Sequence, residues 1–265
     1  MANFNFKLPK TAHSHLRKDI KIPRKPTKEL ARVFGDLLGD GHLQIDHGLV
    51  SFYSKDMDEI KKEEARFFQL FGIKGLIYKK RKKEADFSLF FCSKTLSQFF
   101  YHLGMPNGNK TDQKFLIPGW ILDGTDKIKS AFVSGFYDAE GSIYSSIWNN
   151  KVRWRLYINQ HKKESIKESG LNFMNQIKQL LSSFNITTSP TRIQKARSRK
   201  DGTKIIRLYF EIKKDSINKF YKYVGFKNPY KQKRLVISSR PDAQAVKGTD
   251  IIKNSPTCSP LVDSG

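Results

Sequence analysis

A short sequence pattern of evenly spaced small residues occurs twice in this chain, 100 residues apart. Small residues recur at intervals of four in both copies, at Ala31, Gly35 and Gly39 and at Ala131, Gly135 and Ala139. Residues four apart lie on one face of an α-helix, so each copy would form a helix with one nearly bare face. Two such faces allow helix backbones to approach closely, with weak Cα–H···O contacts between them. We therefore predict that the two helices pack against each other.

An acidic residue followed by glycine ends each stripe, as Asp40-Gly41 and Glu140-Gly141. A carboxylate at a helix C-terminus opposes the helix dipole, at a cost of about 0.3–1 kcal/mol. A structural C-cap uses glycine or asparagine instead, so a purely structural role is disfavoured. Helices packed side by side would end together and bring the two carboxylates close. Two neighbouring carboxylates repel each other unless a cation lies between them. Hard oxygen ligands with open coordination positions suit Mg²⁺, and Mn²⁺ or Ca²⁺ could replace it in binding.

The order of predicted elements also repeats. Each motif helix is followed by two strands, a helix, two strands and a helix, which predicts an α+β fold with two αββαββα halves. The predicted segments are a basic N-terminal arm (1–26), a first repeat (27–112), a linker (113–124), a second repeat (125–238) and a disordered tail (239–265).

The charge balance indicates a polyanionic partner. The chain has 49 Lys and Arg against 25 Asp and Glu, a formal net charge of +24. No run of about 18 apolar residues is present, so we expect no membrane attachment. Cys92 and Cys258 form no CxxC pair. This favours an intracellular, reducing compartment, either an organelle or the cytoplasm.

Alternating patterns on the predicted strands indicate a nucleic-acid surface. In the strand that contains Arg153, Arg155 and Tyr157, apolar residues occupy the other face. Arginine, glutamine, histidine, tyrosine and serine dominate these polar faces, and such side chains can hydrogen-bond base edges in a major groove. The predicted DNA-binding residues are His42, Gln44, Asp46, Ser51, Tyr53, Lys55, Tyr78, Lys80, Lys82, Ser88, Ser142, Tyr144, Ser146, Trp148, Arg153, Arg155, Tyr157, Arg192, Gln194, Arg197, Arg199, Arg207, Tyr209 and Glu211.

The two motifs, "VFGDLLGDG" (Val33–Gly41) and "VSGFYDAEG" (Val133–Gly141), resemble the signatures of a LAGLIDADG homing endonuclease of the monomeric, two-repeat type. The resemblance implies two pseudo-symmetric halves, each with a four-stranded antiparallel sheet, that form a saddle over duplex DNA. It further implies a Mg²⁺-dependent endonuclease that hydrolyses one phosphodiester per strand at a long pseudo-symmetric site. Such an enzyme is typically intron-encoded, although the sequence leaves an intein or a free-standing gene equally open.

The resemblance also suggests roles for individual residues. Asp40 and Glu140 match the metal-binding acids, and the carbonyl groups of Gly39 and Ala139 match the positions that help to hold the ions. The remaining catalytic candidates are the basic residues Lys110 and Lys231 and the water-positioning Gln160, with Ser54 or Lys55 as its counterpart in the first half. Asp36 departs from the apolar motif pattern and is expected to face solvent.

Two other functions fit the same fold. A maturase would bind host intron RNA, and a non-catalytic regulator would bind DNA without cutting it. Retention of both Asp40 and Glu140 favours cleavage, because a regulator of this kind is expected to have lost at least one acid.

Overall fold

The computed structural model describes residues 4, 20–79, 87–149 and 151–240 of the 265-residue chain. Most of the predicted N-terminal arm and all but the first two residues of the predicted tail lie outside these ranges. Among the described residues, no helix is both long enough and apolar enough to span a membrane.

Helices α1 (Lys28–Gly39) and α5 (Asp126–Glu140) pack against each other through the predicted small-residue faces. A Cβ atom added to Gly35 would overlap the carbonyl oxygen of Phe132. The equivalent atom on Gly135 would lie 2.5 Å from the carbonyl oxygen of Arg32. The predicted helix pair is therefore confirmed, and both central glycines are required by backbone contact.

The first half has the predicted order αββαββα. Its elements after α1 are β1 (His42–Gln44), β2 (Leu49–Ser54), α2 (Met57–Phe71), β3 (Leu76–Lys79), β4 (Phe87–Cys92) and α3 (Lys94–His102). The four strands form an antiparallel sheet, which we call the first sheet, in the order β1-β2-β4-β3.

The second half repeats this arrangement. After the short helix α4 (Gly119–Leu122), α5 is followed by β5 (Gly141–Trp148), β6 (Lys151–Lys163), α6 (Lys167–Ser182), β7 (Arg192–Ser198), β8 (Lys204–Ile212), α7 (Ile217–Tyr223) and α8 (Pro229–Ser238). Its antiparallel sheet, the second sheet, has the equivalent order β5-β6-β8-β7. Helices α4 and α8 are additions that the sequence pattern did not predict.

The local sequence explains why α1 forms where it does. The Thr27 hydroxyl accepts a hydrogen bond from the Leu30 amide at 3.1 Å and so caps the first turn. The apolar side of α1 is buried between the halves. There the centre of the Phe34 ring lies 5.5 Å from the ring centre of Trp120 and 6.3 Å from that of Phe132. One continuous hydrophobic cluster thus joins both repeats.

A methyl group on the helix contact should destabilise the protein. We expect Gly35→Ala and Gly135→Ala each to lower the free energy of unfolding by about 2 kcal/mol or more, because the new Cβ meets backbone atoms that cannot rotate away. Urea denaturation measures the change. Gly119→Ala is the matched control, since its Cβ would lie at an ordinary 3.5 Å from Asp123 Oδ2. Equal stability of all three variants would contradict the packing account.

Candidate active site

The two motif carboxylates lie where α1 and α5 end. Asp40 is the C-cap residue of α1 and Glu140 is the last residue of α5. A Cβ atom on Gly39 would overlap that of Ala139 and would lie 3.6 Å from Cγ of Glu140. The helix ends therefore abut, and the structure brings the predicted acids to one place.

A lysine ammonium group lies at each of these helix ends. Lys110 Nζ donates hydrogen bonds to the carbonyl oxygens of Leu38, at 2.8 Å, and of Gly39. Lys231 Nζ donates to the carbonyl oxygens of Asp138, at 2.5 Å, and of Gly141, at 2.7 Å. Each lysine thus stabilises the negative end of one helix dipole, and the pseudo-symmetry of the two predicted lysines is observed.

Burial and mutual charge shift the proton equilibria of this group. Burial raises the pKa of Glu140 to about 7, while Lys110 lowers it and Asp40 raises it further. Asp40 is exposed on one side, but desolvation by the protein groups around it raises its pKa, although Lys110 and Lys231 oppose the change. The pKa of Lys110 falls to about 8 because its ammonium group is desolvated. Desolvation also lowers the pKa of Lys231.

Gln160 lies beside Glu140 at the end of strand β6. Its side-chain oxygen Oε1 is buried and has no hydrogen-bond partner among the described residues. Gln160, Glu140 and Lys110 line one cleft of about 350 Å³. A buried acceptor without a partner is unusual in a folded protein, and in this side-chain conformation Oε1 is closed to solvent.

Strand register identifies Ser54, rather than Lys55, as the counterpart of Gln160 in the first half. Ser51 pairs with His42 as Tyr157 pairs with Ser142, and Ser54 and Gln160 each follow three residues later. The Ser54 hydroxyl donates to Glu59 Oε2 at 2.7 Å. Lys55 is exposed just after β2 and is not buried with this group.

The expectation that Asp36 faces solvent is wrong. Asp36 is buried, and its Oδ2 accepts hydrogen bonds from Arg32 Nε at 2.8 Å and from Arg66 Nη1 at 3.1 Å. Arg32 also crosses the helix interface and pairs with Asp138. The departure of Asp36 from the apolar motif pattern was the signal for this charged cluster, but residue spacing alone did not reveal the pairing of Arg32 with Asp138 in the other half.

A second feature missed from sequence is the fully buried lysine Lys162 on β6. Its Nζ donates to the carbonyl oxygens of Lys110, at 2.7 Å, and of Gln113, at 2.8 Å. It also lies 3.6 Å from the centre of the Phe115 ring. Burial, together with the nearby Lys110 charge, lowers its pKa to about 7. Lys162 therefore fixes the backbone that carries Lys110.

Most of the predicted DNA-binding residues within strands lie on one outer face of each sheet. On β6 and β8 the predicted alternation is observed, with Arg153 and Arg155 exposed and Leu156, Ile158 and Leu208 buried. The other members of this outer surface are His42, Gln44, Tyr53, Tyr78, Ser142, Tyr144, Ser146, Trp148, Tyr157, Arg192, Gln194, Arg197, Arg207, Tyr209 and Glu211.

Several predicted contacts need correction. Ser51 and Ser88 point outward but are buried, and the Ser51 hydroxyl donates to Tyr53 Oη at 3.3 Å. Arg199 binds Asp112 through Nη1 at 3.0 Å and Nη2 at 2.9 Å, so its charge joins the second half to the loop after α3. Asp46 lies in the β1–β2 turn rather than on a strand. Lys80 and Lys82 lie outside the described residues.

The helix ends offer oxygen atoms of the type that binds hard divalent cations. The described residues contain no cluster of three His, Cys, Asp or Glu side chains that could hold a metal. The oxygen donors available here are instead the carboxylates of Asp40 and Glu140 together with helix-end carbonyls such as that of Gly39. The carbonyl group of Gly39 accepts a hydrogen bond from the ammonium group of Lys110. Sites built from carboxylate and carbonyl oxygens are of the kind that binds Mg²⁺ or Ca²⁺.

The buried carboxyl group should cost stability in the absence of a cation. Because the folded pKa of Glu140 is above its unfolded value of about 4.3, the folded state holds an extra proton between these values and stability falls as pH rises through this range. With EDTA present, Glu140→Gln should raise the free energy of unfolding by about 1–2 kcal/mol at pH 8 and little at pH 5. Glu168→Gln, on the exposed start of α6, is the control. Lower stability of Glu140→Gln at pH 8 would contradict this assignment.

Removal of the buried lysine should loosen the Lys110 loop. We expect Lys162→Met to lower the free energy of unfolding by about 2 kcal/mol, because two carbonyl groups lose their donor. The amide of Lys163, which donates to the Thr111 carbonyl group at 3.0 Å, should exchange hydrogen faster while α1 amides do not. The exposed Lys127→Met serves as a control, and unchanged exchange at Lys163 would refute the positioning role.

Comparison with known proteins finds a family model that matches the second half of the chain. Residues 133–230 match the family model described as LAGLIDADG endonuclease. The chain is 28% identical over 225 residues to the tRNA-splicing ligase RtcB of Pyrococcus abyssi, covering 79% of this chain and 23% of that protein. It is 26% identical over 223 residues to the glutamine–fructose-6-phosphate aminotransferase of Methanocaldococcus jannaschii, covering 83% of this chain and 18% of that protein. The chain thus spans less than a quarter of the length of these relatives.

Two solved structures show partial likeness. The homing endonuclease I-WcaI bound to its DNA recognition sequence overlaps 82% of this chain and 88% of its own, with 17% identity and a TM-score of 0.45. Full-length DUF199/WhiA from Thermatoga maritima overlaps 86% and 65%, with 14% identity and a TM-score of 0.44. The second half of the chain thus matches the LAGLIDADG family model, and the first half repeats the motif and the element order of the second.

Proposed function

We propose that this chain is a site-specific, divalent-metal-dependent endonuclease that hydrolyses one phosphodiester in each strand of a long, pseudo-symmetric duplex site. The observation that carries the proposal is the meeting of Asp40 and Glu140 at the abutting ends of α1 and α5, each helix end holding a lysine. The two sheets extend from this point, since β1 and β5 begin directly after the acids.

The residues at the helix ends can divide the chemistry between them. A divalent cation, when bound by Asp40 and Glu140, would supply an activated water molecule and offset the charge that develops on the phosphate. Gln160 lines the same cleft as Glu140 and Lys110 and, after rotation of its side-chain amide toward the cleft, can orient the attacking water. Lys110, whose pKa is about 8, can protonate the leaving 3′ oxygen as the P–O bond breaks.

The relatives support a separate activity for the shared segment. One is a ligase and the other an aminotransferase, and each matches this chain over less than a quarter of its own length. A segment common to both cannot account for two unrelated activities. Both acids expected of a nuclease are also retained, which favours cleavage over binding without cleavage.

Cleavage should be measured on a randomised duplex library, with broken ends sequenced after incubation in Mg²⁺. We expect a discrete family of cut sites for the wild type and a loss of at least 100-fold in cutting for Asp40→Asn and Glu140→Gln, as order-of-magnitude estimates, because the cation-binding charge is removed. Bound fragments recovered in Ca²⁺ should be the same sites for all three proteins.

Asp58→Asn provides a charge-matched control, since Asp58 is exposed in the first turn of α2. This variant should cut as the wild type does. Specific binding without cuts by the wild type in Mg²⁺, Mn²⁺ or Co²⁺ would contradict the nuclease proposal and direct attention to regulation or RNA binding.

A further inference from the structure

The outer faces of the two sheets differ in chemistry. On the first sheet, the strand residues that the structure describes on this face carry no Lys, Arg, Asp or Glu side chain. Tyr53, Leu76 and Tyr78 are 37%, 50% and 54% exposed. The centre of the Phe90 ring lies 6.1 Å from the ring centre of Tyr53 and 5.6 Å from the ring centre of Tyr78. Around Phe90 this face is aromatic, whereas His42 and Gln44 on β1 and the buried Ser51 and Ser88 are its polar members.

The equivalent face of the second sheet is rich in arginine. The Arg153 guanidinium lies 5.3 Å from the centre of the Trp148 ring. The Arg207 guanidinium carbon lies 5.6 Å from the ring centre of Tyr157 and 5.2 Å from the ring centre of Tyr209. Stacking on aromatic rings restricts these guanidinium groups before any ligand binds, which reduces the entropy that binding must remove.

We propose that the two repeats recognise half-sites of different composition: the first sheet contacts thymine methyl groups, and the second sheet contacts guanines. This inference rests on the proposed function, because it takes the target to be duplex DNA that lies across both sheets. The thymine methyl is the apolar group that base edges offer in the major groove. Guanine presents the paired N7 and O6 acceptors that an arginine binds with two hydrogen bonds.

Strand register supports one duplex as the occupant of both faces. His42 pairs with Ser51 in the first sheet, and Ser142 pairs with Tyr157 in the second, so the faces occupy equivalent positions next to Asp40 and Glu140. A net charge of +24 favours the same polyanion for both. An exposed aromatic face on such a basic chain is explained if the surface covers the apolar part of a DNA groove.

Base analogues separate the two modes of recognition. A selected site is rebuilt with deoxyuridine in place of thymidine, which removes only the methyl group, in one half-site at a time. In the first half-site, each contacted methyl lost should weaken binding in Ca²⁺ by about fourfold. The same change in the second half-site should leave the affinity unchanged. Conversely, 7-deazaguanine should weaken binding by about tenfold per contacted guanine, and only in the second half-site.

Protein variants assign each half-site to its repeat. Tyr78→Ser should remove the sensitivity to deoxyuridine, whereas Arg207→Gln should remove the sensitivity to 7-deazaguanine. Tyr101→Ser is a matched control, because Tyr101 is similarly exposed but lies on α3, away from the sheet face. This control should keep both sensitivities.

The failure of this inference is distinguishable from failure of the proposed function. If no specific duplex site is selected at all, the proposed function is wrong. If specific sites are selected and cut but deoxyuridine has no effect, or has the same effect in both half-sites, the assignment of different chemistry to the two sheets is overturned. Equal guanine content and equal 7-deazaguanine sensitivity in both half-sites would also overturn it.

Discussion

The backbone contact between α1 and α5 is the constraint on which the rest of this structure depends. Gly35 and Gly135 allow each helix to touch the carbonyl groups of the other, a distance that no side chain would permit. Because the helices are this close, their ends meet at Gly39 and Ala139. The position of the acids and the direction in which each sheet leaves the helix pair follow from this contact.

The contact between the helix ends places two carboxylates close together, and the nearby lysines neutralise their charge only in part. Asp40 and Glu140 repel each other and oppose two helix dipoles, while Lys110 and Lys231 bind the helix-end carbonyl groups and lower the cost. Desolvation nevertheless raises the pKa of both acids, and the two lysines offset this change only in part. A cation at this point would relieve the repulsion between the two carboxylates.

Sequence patterns predicted the elements that depend on local periodicity. The small-residue stripes, the order αββαββα and the alternation on β6 and β8 were all recoverable, because each is set by residues close together in the chain. The partners of Asp36 and Lys162 were not, since Arg66 and the carbonyl group of Gln113 reach them only after the fold forms. Ser51 and Ser88 show the same limit, because alternation predicted their face but not their burial.

Binding of Mn²⁺ to the metal-free protein tests the central claim most directly, namely that the two helix ends form a cation site. Mn²⁺ is paramagnetic and broadens the nuclear resonances of atoms near the bound ion. The account predicts broadening of the amide signals of Gly41 and Gly141 at low Mn²⁺ concentration, and loss of that effect in a protein with both Asp40→Asn and Glu140→Gln. Broadening centred elsewhere, or unchanged in the double variant, would contradict it.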